Sequence, residues 1–183
     1  MEADEQQNQC VTFFVAGEEY ALGIREVKEI VEFKALTKVP SAPTAVRGVV
    51  NLRGRVVPVV DLAVQFGLSE TKITRRACVV MVEASRDGAL SIMGILADAV
   101  SQVMEVPVAS VQAPPKFGTE ENAAYLKGVA SIGEKFLLIL DLPRVLAALD
   151  SEALGMADAA EPAAAEGGVD PQLGSGFEQA AGG

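Results

Sequence analysis

The chain repeats itself. Setting Arg47–Leu62 (RGVVNLRGRVVPVVDL) above Lys127–Leu142 (KGVASIGEKFLLILDL), an offset of 80 residues, aligns a basic residue, Gly and Val in order at Arg47/Lys127, Gly48/Gly128 and Val49/Val129. Leu52 then meets Ile132, Arg55 meets Lys135, Val56 meets Phe136, and Asp61-Leu62 meets Asp141-Leu142. A looser match sets Gly23-Ile24 and Val27–Val31 beside Gly94-Ile95 and Val100–Met104, with two residues inserted in the second copy. Chance similarity between Val-rich hairpins is the alternative; the matched Gly and Asp-Leu positions favour duplication. Such a chain is expected to form two similar β lobes of about five short strands each, too small to hold much core alone and dependent on packing against each other.

The local patterns agree with short strands. Val11–Ala16 reads as a strand, Gly17-Glu18-Glu19 as a turn and Tyr20–Ile24 as its return. Val27, Ile30 and Val31 fall at i, i+3, i+4, so a short helix is expected through about Val31. Pro40 and Pro43 punctuate a loop. Val46–Asp61 reads as a hairpin turning at Arg53-Gly54, with Pro58 pointing to an edge or bulge. Leu62–Phe66 reads as one helical turn ended by Gly67. Ala77–Glu83 and Leu90–Leu96 form a further hairpin around Arg86-Asp87-Gly88, and Val100, Val103, Met104 and Val106 continue the apolar pattern. Pro114–Asn122 reads as a loop, Tyr125–Ile132 and Lys135–Leu140 as the last hairpin, and Pro143–Leu149 as a short helix with Pro at an early position.

Charge divides the chain. Of a net −10, seven acidic and no basic residues lie from Asp150 to Gly183, leaving residues 1–149 with 18 acidic against 15 basic side chains. The segment 150–183, rich in Ala, Gly, Glu and Asp, buries too little apolar surface to offset its ordering entropy and is expected to be a disordered tail, with a marginal Ala-rich helix near 152–160 as the alternative. Residues 1–9 are expected to be flexible. The nearly balanced remainder lacks the basic surface of a phosphate-backbone binder, and aromatics are only 5% of residues, against the stacking platforms of nucleic-acid barrels. The basic run Lys72–Arg76 reads as a solvated loop.

Histidine is absent, which removes the commonest general base near neutral pH and the commonest zinc ligand. Cys10 and Cys78 have no CxxC spacing and read as packing residues in a reducing compartment. Asp61 and Asp141 each precede Leu and a helical turn, where an Asp caps free N–H groups; no catalytic residue, metal site or cofactor site is expected. The acidic N-terminus is unlike a signal peptide, and no apolar run approaches the ~18–20 residues that span a bilayer, so the chain reads as cytoplasmic and soluble. The two copies also diverge in one place together. Glu29 and Arg53 correspond to Gln102 and Gly133, a paired loss of charge that predicts a structural ion pair between Glu29 and Arg53 in the first lobe.

The segments TFFVAGEEYALGIREVKEIVE, VPSAPTAVRGVVNLRGRVVPVVDL and YLKGVASIGEKFLLILDLPRVL resemble, in order, the CheW domain of chemotaxis coupling proteins. The match runs over about residues 10–149, and its NLRG hairpin followed by V-P-x-V-D-L is a specific signal. The resemblance implies an all-β fold of two SH3-like five-stranded barrels with short connecting helices, the first lobe at about 20–70 and the second at about 77–142, with terminal segments exchanged between lobes as a further option. It implies no catalysis or cofactor. As partners it implies a CheA-type histidine kinase, through its regulatory domain, and the cytoplasmic hairpin tip of methyl-accepting chemotaxis receptors. Receptor contact maps to Val27, Glu29, Gly48, Asn51, Leu52 and Arg53, and kinase contact to Val100 and Val103. The chain would be recruited to receptor arrays at the inner face of the membrane without inserting into it. No ATP-binding Gly-rich segment or receiver-length region accompanies the domain. The alternatives are a CheW-like scaffold of a pathway with a non-flagellar output, such as surface motility, a β-barrel enzyme, or a nucleic-acid-binding barrel.

Overall fold

The structure, a computed structural model, describes residues 8–150 apart from 87 and 116–123. The expectations for the N-terminus through residue 7, for the centre of the Pro114–Asn122 loop and for the tail after residue 150 lie outside the described residues. Among the described residues, eleven strands form two sheets: β1 (Gln9–Val15), β2 (Glu18–Gly23), β3 (Val27–Glu32), β4 (Val46–Leu52), β5 (Arg55–Asp61), β6 (Cys78–Arg86), β7 (Ala89–Ala97), β8 (Ala99–Glu105), β9 (Val111–Gln112), β10 (Leu126–Ile132) and β11 (Lys135–Leu140). Helix α1 is Leu62–Gln65, and residues 142–150 form α2.

The pairing shows what the repeat means in space. One sheet has the order β3-β6-β7-β5-β4, the other β8-β1-β2-β11-β10-β9. Replacing each strand by its counterpart in the other copy turns the first order into β8-β1-β2-β11-β10, the second order without β9. The first sheet therefore takes a hairpin from the second copy and three strands from the first, and the second sheet takes a hairpin from the first copy and four strands from the second. The parallel pairings β5–β7 and β2–β11 are equivalent as well. The chain crosses from one sheet to the other through Ile24–Glu26 and, in the second copy, through Asp98 alone. These are two SH3-like β barrels, but they do not divide the chain at the ranges 20–70 and 77–142. The hairpin β6–β7 completes the first lobe, and β1–β2 belongs to the second.

Both faces of the central strands are buried, which is why β6 reads as the unbroken run CVVMV rather than as alternation. One face of each sheet contributes to a shared core between the lobes, with Phe13, Leu22, Val60, Val80, Val82, Met93, Ile95 and Leu140. The other faces fill the barrels: Val57, Val59, Val79, Met81 and Leu96 in the first, Cys10, Ala21, Val106, Ala130 and Leu137 in the second. Val79 and Val80 thus serve different cores, as the two-residue period requires. Helix α2 packs Leu142, Val145, Leu146 and Leu149 onto the shared core, the i, i+3, i+4, i+7 stripe of an amphipathic helix.

The helix expected at Val27–Val31 is a strand. Its burial alternates, with Val27, Glu29 and Val31 half-buried and Lys28, Ile30 and Glu32 exposed. β3 lies at a sheet edge against β6, and an edge strand with one covered face gives this pattern. Pro58 lies opposite Val49 of β4, and the parallel pairing of β5 with β7 begins only at Val59. At Pro58 the strand therefore has a single neighbour, as a residue without an N–H requires.

Both tyrosines of the chain join one aromatic stack at the lobe junction. Tyr20 lies 6.4 Å from Phe13 and 5.6 Å from Phe66, and Phe66 lies 5.5 Å from Tyr125, centroid to centroid. Burial, assisted by the nearby Glu18 charge, pushes the Tyr20 hydroxyl up to about 12. In the unfolded chain it ionises near its ordinary value of ~10. Between those values the unfolded state loses a proton that the folded state keeps, so Tyr20 is stability-neutral below pH ~10 and increasingly destabilising up to about pH 12. A phenolate absorbance titration of the folded protein is expected to show a step near pH 12 that is absent from Tyr20→Phe.

Candidate functional site

The first lobe has a seam. β3 and β4 are the two ends of its sheet, and no strand among the described residues joins them. At one point Thr37 bridges to Val49, with the Thr37 N–H donating to Val49 O at 3.0 Å and the Val49 N–H to Thr37 O at 2.8 Å. Further along, Arg53 Nη2 lies 3.4 Å from Glu29 Oε2, joining the β4–β5 turn to β3. A groove lined by Val31, Glu32, Lys34, Asn51, Val79 and Met81 runs along the seam and reaches the barrel core.

The turn that carries Arg53 is a two-residue hairpin with left-handed backbone at both central positions, Arg53 (φ 52°) and Gly54 (φ 82°), the type I′ geometry that matches strand twist. Asn51 Oδ1 accepts from the Gly54 N–H at 2.8 Å and fixes it. The counterpart turn places Gly133 (φ 62°) where Arg53 stands. Arg53 thus occupies a conformation that glycine adopts more easily, and its side chain is 82% exposed.

Asp61 anchors the other end of the hairpin. It is fully buried and caps α1 by accepting from the Ala63 N–H at 3.1 Å. It also accepts from the Thr71 N–H and hydroxyl, each at 2.8 Å, and from Arg47 Nη1 at 2.8 Å. Arg47 in turn approaches Glu70 at 3.7 Å. Asp141, its counterpart, caps α2 from a more exposed position, accepting from the Arg144 N–H at 3.2 Å.

The structure gathers Glu29, Asn51, Leu52 and Arg53 at this seam. Val27 packs partly buried against the shared core and Leu52 against the first barrel's core; of the three apolar β3 residues, Ile30 is the exposed one, at 43%. Gly48 has a backbone role: a Cβ there would lie 2.6 Å from Thr37 O. Val100 and Val103 are on β8 of the second lobe, away from this hairpin, with Val100 partly buried and Val103 exposed. Thr71, Glu70, Lys34 and Thr37 were not singled out by the sequence; each reaches the site from a loop, where no periodicity marks it.

Burial pushes both thiols up, at Cys10 and Cys78 alike, which suits packing residues better than nucleophiles. Among the described residues, no group of three or more His, Cys, Asp or Glu side chains is placed to hold a metal ion, and no helix is long and apolar enough to cross a membrane.

Because Arg53 is so exposed, its attraction to Glu29 is screened by water. A double-mutant cycle of Glu29→Ala and Arg53→Ala, read by urea denaturation, is expected to give a coupling of about 0.5 kcal/mol, within the range of surface pairs. Arg53→Gly is expected to lose less stability than Arg53→Ala because it relieves the left-handed turn.

Two interlocked SH3-like barrels with exchanged hairpins define a double-barrel β scaffold. Residues 9–150 match the CheW-like domain, and the chain belongs to that family. It is 31% identical to the chemotaxis protein CheW of Treponema pallidum over 160 residues, covering 84% of this chain and 91% of that one. It is 29% identical to CheW of Klebsiella aerogenes, covering 80% of this chain and 84% of the relative. Protein FrzA of Myxococcus xanthus is 32% identical over 123 residues, 66% of this chain and 73% of FrzA. The crystal structure of the scaffolding protein TtCheW from Thermoanaerobacter tengcongensis superimposes with a TM-score of 0.66 at 32% identity, covering 74% of this chain and 85% of TtCheW.

Proposed function

We propose that the chain is a non-catalytic adaptor that couples methyl-accepting chemotaxis receptors to a CheA-type histidine kinase. The observation that carries this is the match of residues 9–150 to the CheW-like domain, together with relatives named for chemotaxis. Receptor hairpin tips engage the first lobe near Val27, Glu29, Gly48, Asn51, Leu52 and Arg53, with Gly48 acting through the backbone path it allows. The kinase regulatory domain engages the second lobe through Val100 and Val103, the exposed Val103 being the better placed. The adaptor acts in the cytoplasm, recruited to receptor arrays at the membrane's inner face.

Each contact is of modest size, on the order of 1,000–1,600 Å², and strength in an array comes from many simultaneous contacts. Receptor state biases the kinase's conformational equilibrium, and the interlocked lobes carry that bias. Pull-down with a CheA regulatory domain and with receptor-tip fragments tests the reading; retention of neither overturns it. The likeness to FrzA, which bears a different name from the CheW relatives, favours a second reading: a scaffold of the same kind in a pathway with another output.

A further inference from the structure

Helix α2 follows β11, a strand of the second sheet, yet its C-terminal end lies over the first sheet. There Leu146, Leu149 and Asp150 form one wall of a groove of about 410 Å³. Its floor is the outer face of the first sheet, with Val49 and Pro58 as cross-strand neighbours on β4 and β5, and Ser91 on β7. The two-residue period sets Pro58 on the face of Val60, and Ser91 on the face of Met93, and both Val60 and Met93 belong to the shared core. The floor therefore continues the shared core outward. It is not covered: Val49 and Pro58 are only half-buried and Ser91 is exposed. Apart from Ser91 and Asp150, every residue lining the groove is apolar.

The apolar stripe of α2 runs on past residue 150. Leu142, Val145, Leu146 and Leu149 stand at i, i+3, i+4 and i+7 and pack on the shared core; Ala153 and Met156 stand at i+11 and i+14 of the same stripe, whereas Leu154 and Gly155 fall off it. Asp150 already lines the groove, and six further helical residues advance ~9 Å, enough to carry Met156 over its floor. The two copies differ at the point that allows this. In the first, Gly67 with left-handed backbone (φ 78°) follows a single helical turn. Its counterpart at the same offset is Ala147, and α2 runs on where α1 stops.

We propose that residues 151–156 continue α2 across this groove and set Ala153 and Met156 on the floor of Val49, Pro58 and Ser91. The occupant is the chain's own segment, and the contact latches the end of the second lobe's last hairpin onto the first lobe. Gly155 weakens a helix by propensity, so burial of Met156 is what holds the last turn. The acidic residues from Asp158 onward then leave from the first lobe.

The test uses the full chain with isotope-labelled methionine methyl groups. The Met156 methyl is expected to show cross-peaks to Val49 and Pro58. The amides of residues 153–156 are expected to exchange about tenfold more slowly than in a free chain, the order that partial burial of a methionine side chain supports. Met156→Asp is expected to abolish that protection, while Leu154→Asp, off the stripe, is expected to change it by less than ~2-fold. Gly155→Ala is expected to deepen it by raising helix propensity. Absence of cross-peaks from Met156 to the floor, unprotected amides at 153–156, or equal effects of the two Asp variants each overturns the proposal. Cross-peaks between differently labelled chains in a mixed sample would assign the groove to a second copy and overturn it as well.

Discussion

Asp61→Ala is expected to cost about 3–5 kcal/mol, the range for breaking a buried ion pair by removing one partner. That is a large share of the ~5–15 kcal/mol that holds a typical domain together. The carboxylate is fully buried and accepts four hydrogen bonds, from the Ala63 and Thr71 amides, the Thr71 hydroxyl and Arg47. Its removal leaves the Thr71 amide buried without an acceptor and α1 without its cap. It also leaves Arg47 with only a 3.4 Å contact to Thr71 O and a 3.7 Å approach to the exposed Glu70. Asp141→Ala removes the equivalent cap from a partly exposed site and is expected to cost about 1 kcal/mol, as an ordinary N-cap does. Urea denaturation of both variants checks the asymmetry. Equal losses would mean that the Arg47–Asp61–Thr71 cluster adds nothing beyond capping.

Gly48→Ala is expected to cost about 2–4 kcal/mol, combining an unfavourable backbone conformation with overpacking. The residue has φ 154°, and a Cβ would approach Thr37 O to 2.6 Å and Leu36 Cβ to 2.9 Å. The oxygen belongs to backbone held by the Thr37–Val49 bridge, so relief requires opening the bridge itself. Gly54→Ala is the informative companion: φ is 82° there, but nothing lies within 4 Å, so it is expected to cost only the left-handed penalty of about 1 kcal/mol. Thermal unfolding gives the two losses. Hydrogen exchange at Thr37 and Val49 should quicken in Gly48→Ala alone.

What could be read from the sequence was local or repeated. The Leu52–Arg55 turn and the Asp61 and Asp141 caps each depend on residues a few positions apart, and the structure has all of them; the edge or bulge expected at Pro58 is instead an interior strand whose pairing with β7 begins one residue later. Glu29 and Arg53, 24 residues apart, were visible as a pair only because the second copy lacks both. The exchange of hairpins entered only as an option that the family resemblance implied, because an internal alignment gives the order of strands and says nothing about which copy each hairpin joins. The segment VKEIVE satisfies two periods at once: Val27, Ile30 and Val31 fit a helix, while Val27, Glu29 and Val31 fit a strand. Its β-branched content favours the strand, and pairing with β6 decides it. The Thr71 contact to Asp61 had no signal, since a loop residue ten positions away carries no period.

The exchange of hairpins makes neither half of this chain a detachable module. A cut in the loop at residues 68–77 would give one fragment holding β1–β5 and another holding β6–β11, each owning a hairpin that fits only the other's sheet. The pieces would have to find one another before either could close its barrel. In the unbroken protein, the same interdependence ties the fate of each lobe to the other, so they melt or survive as one.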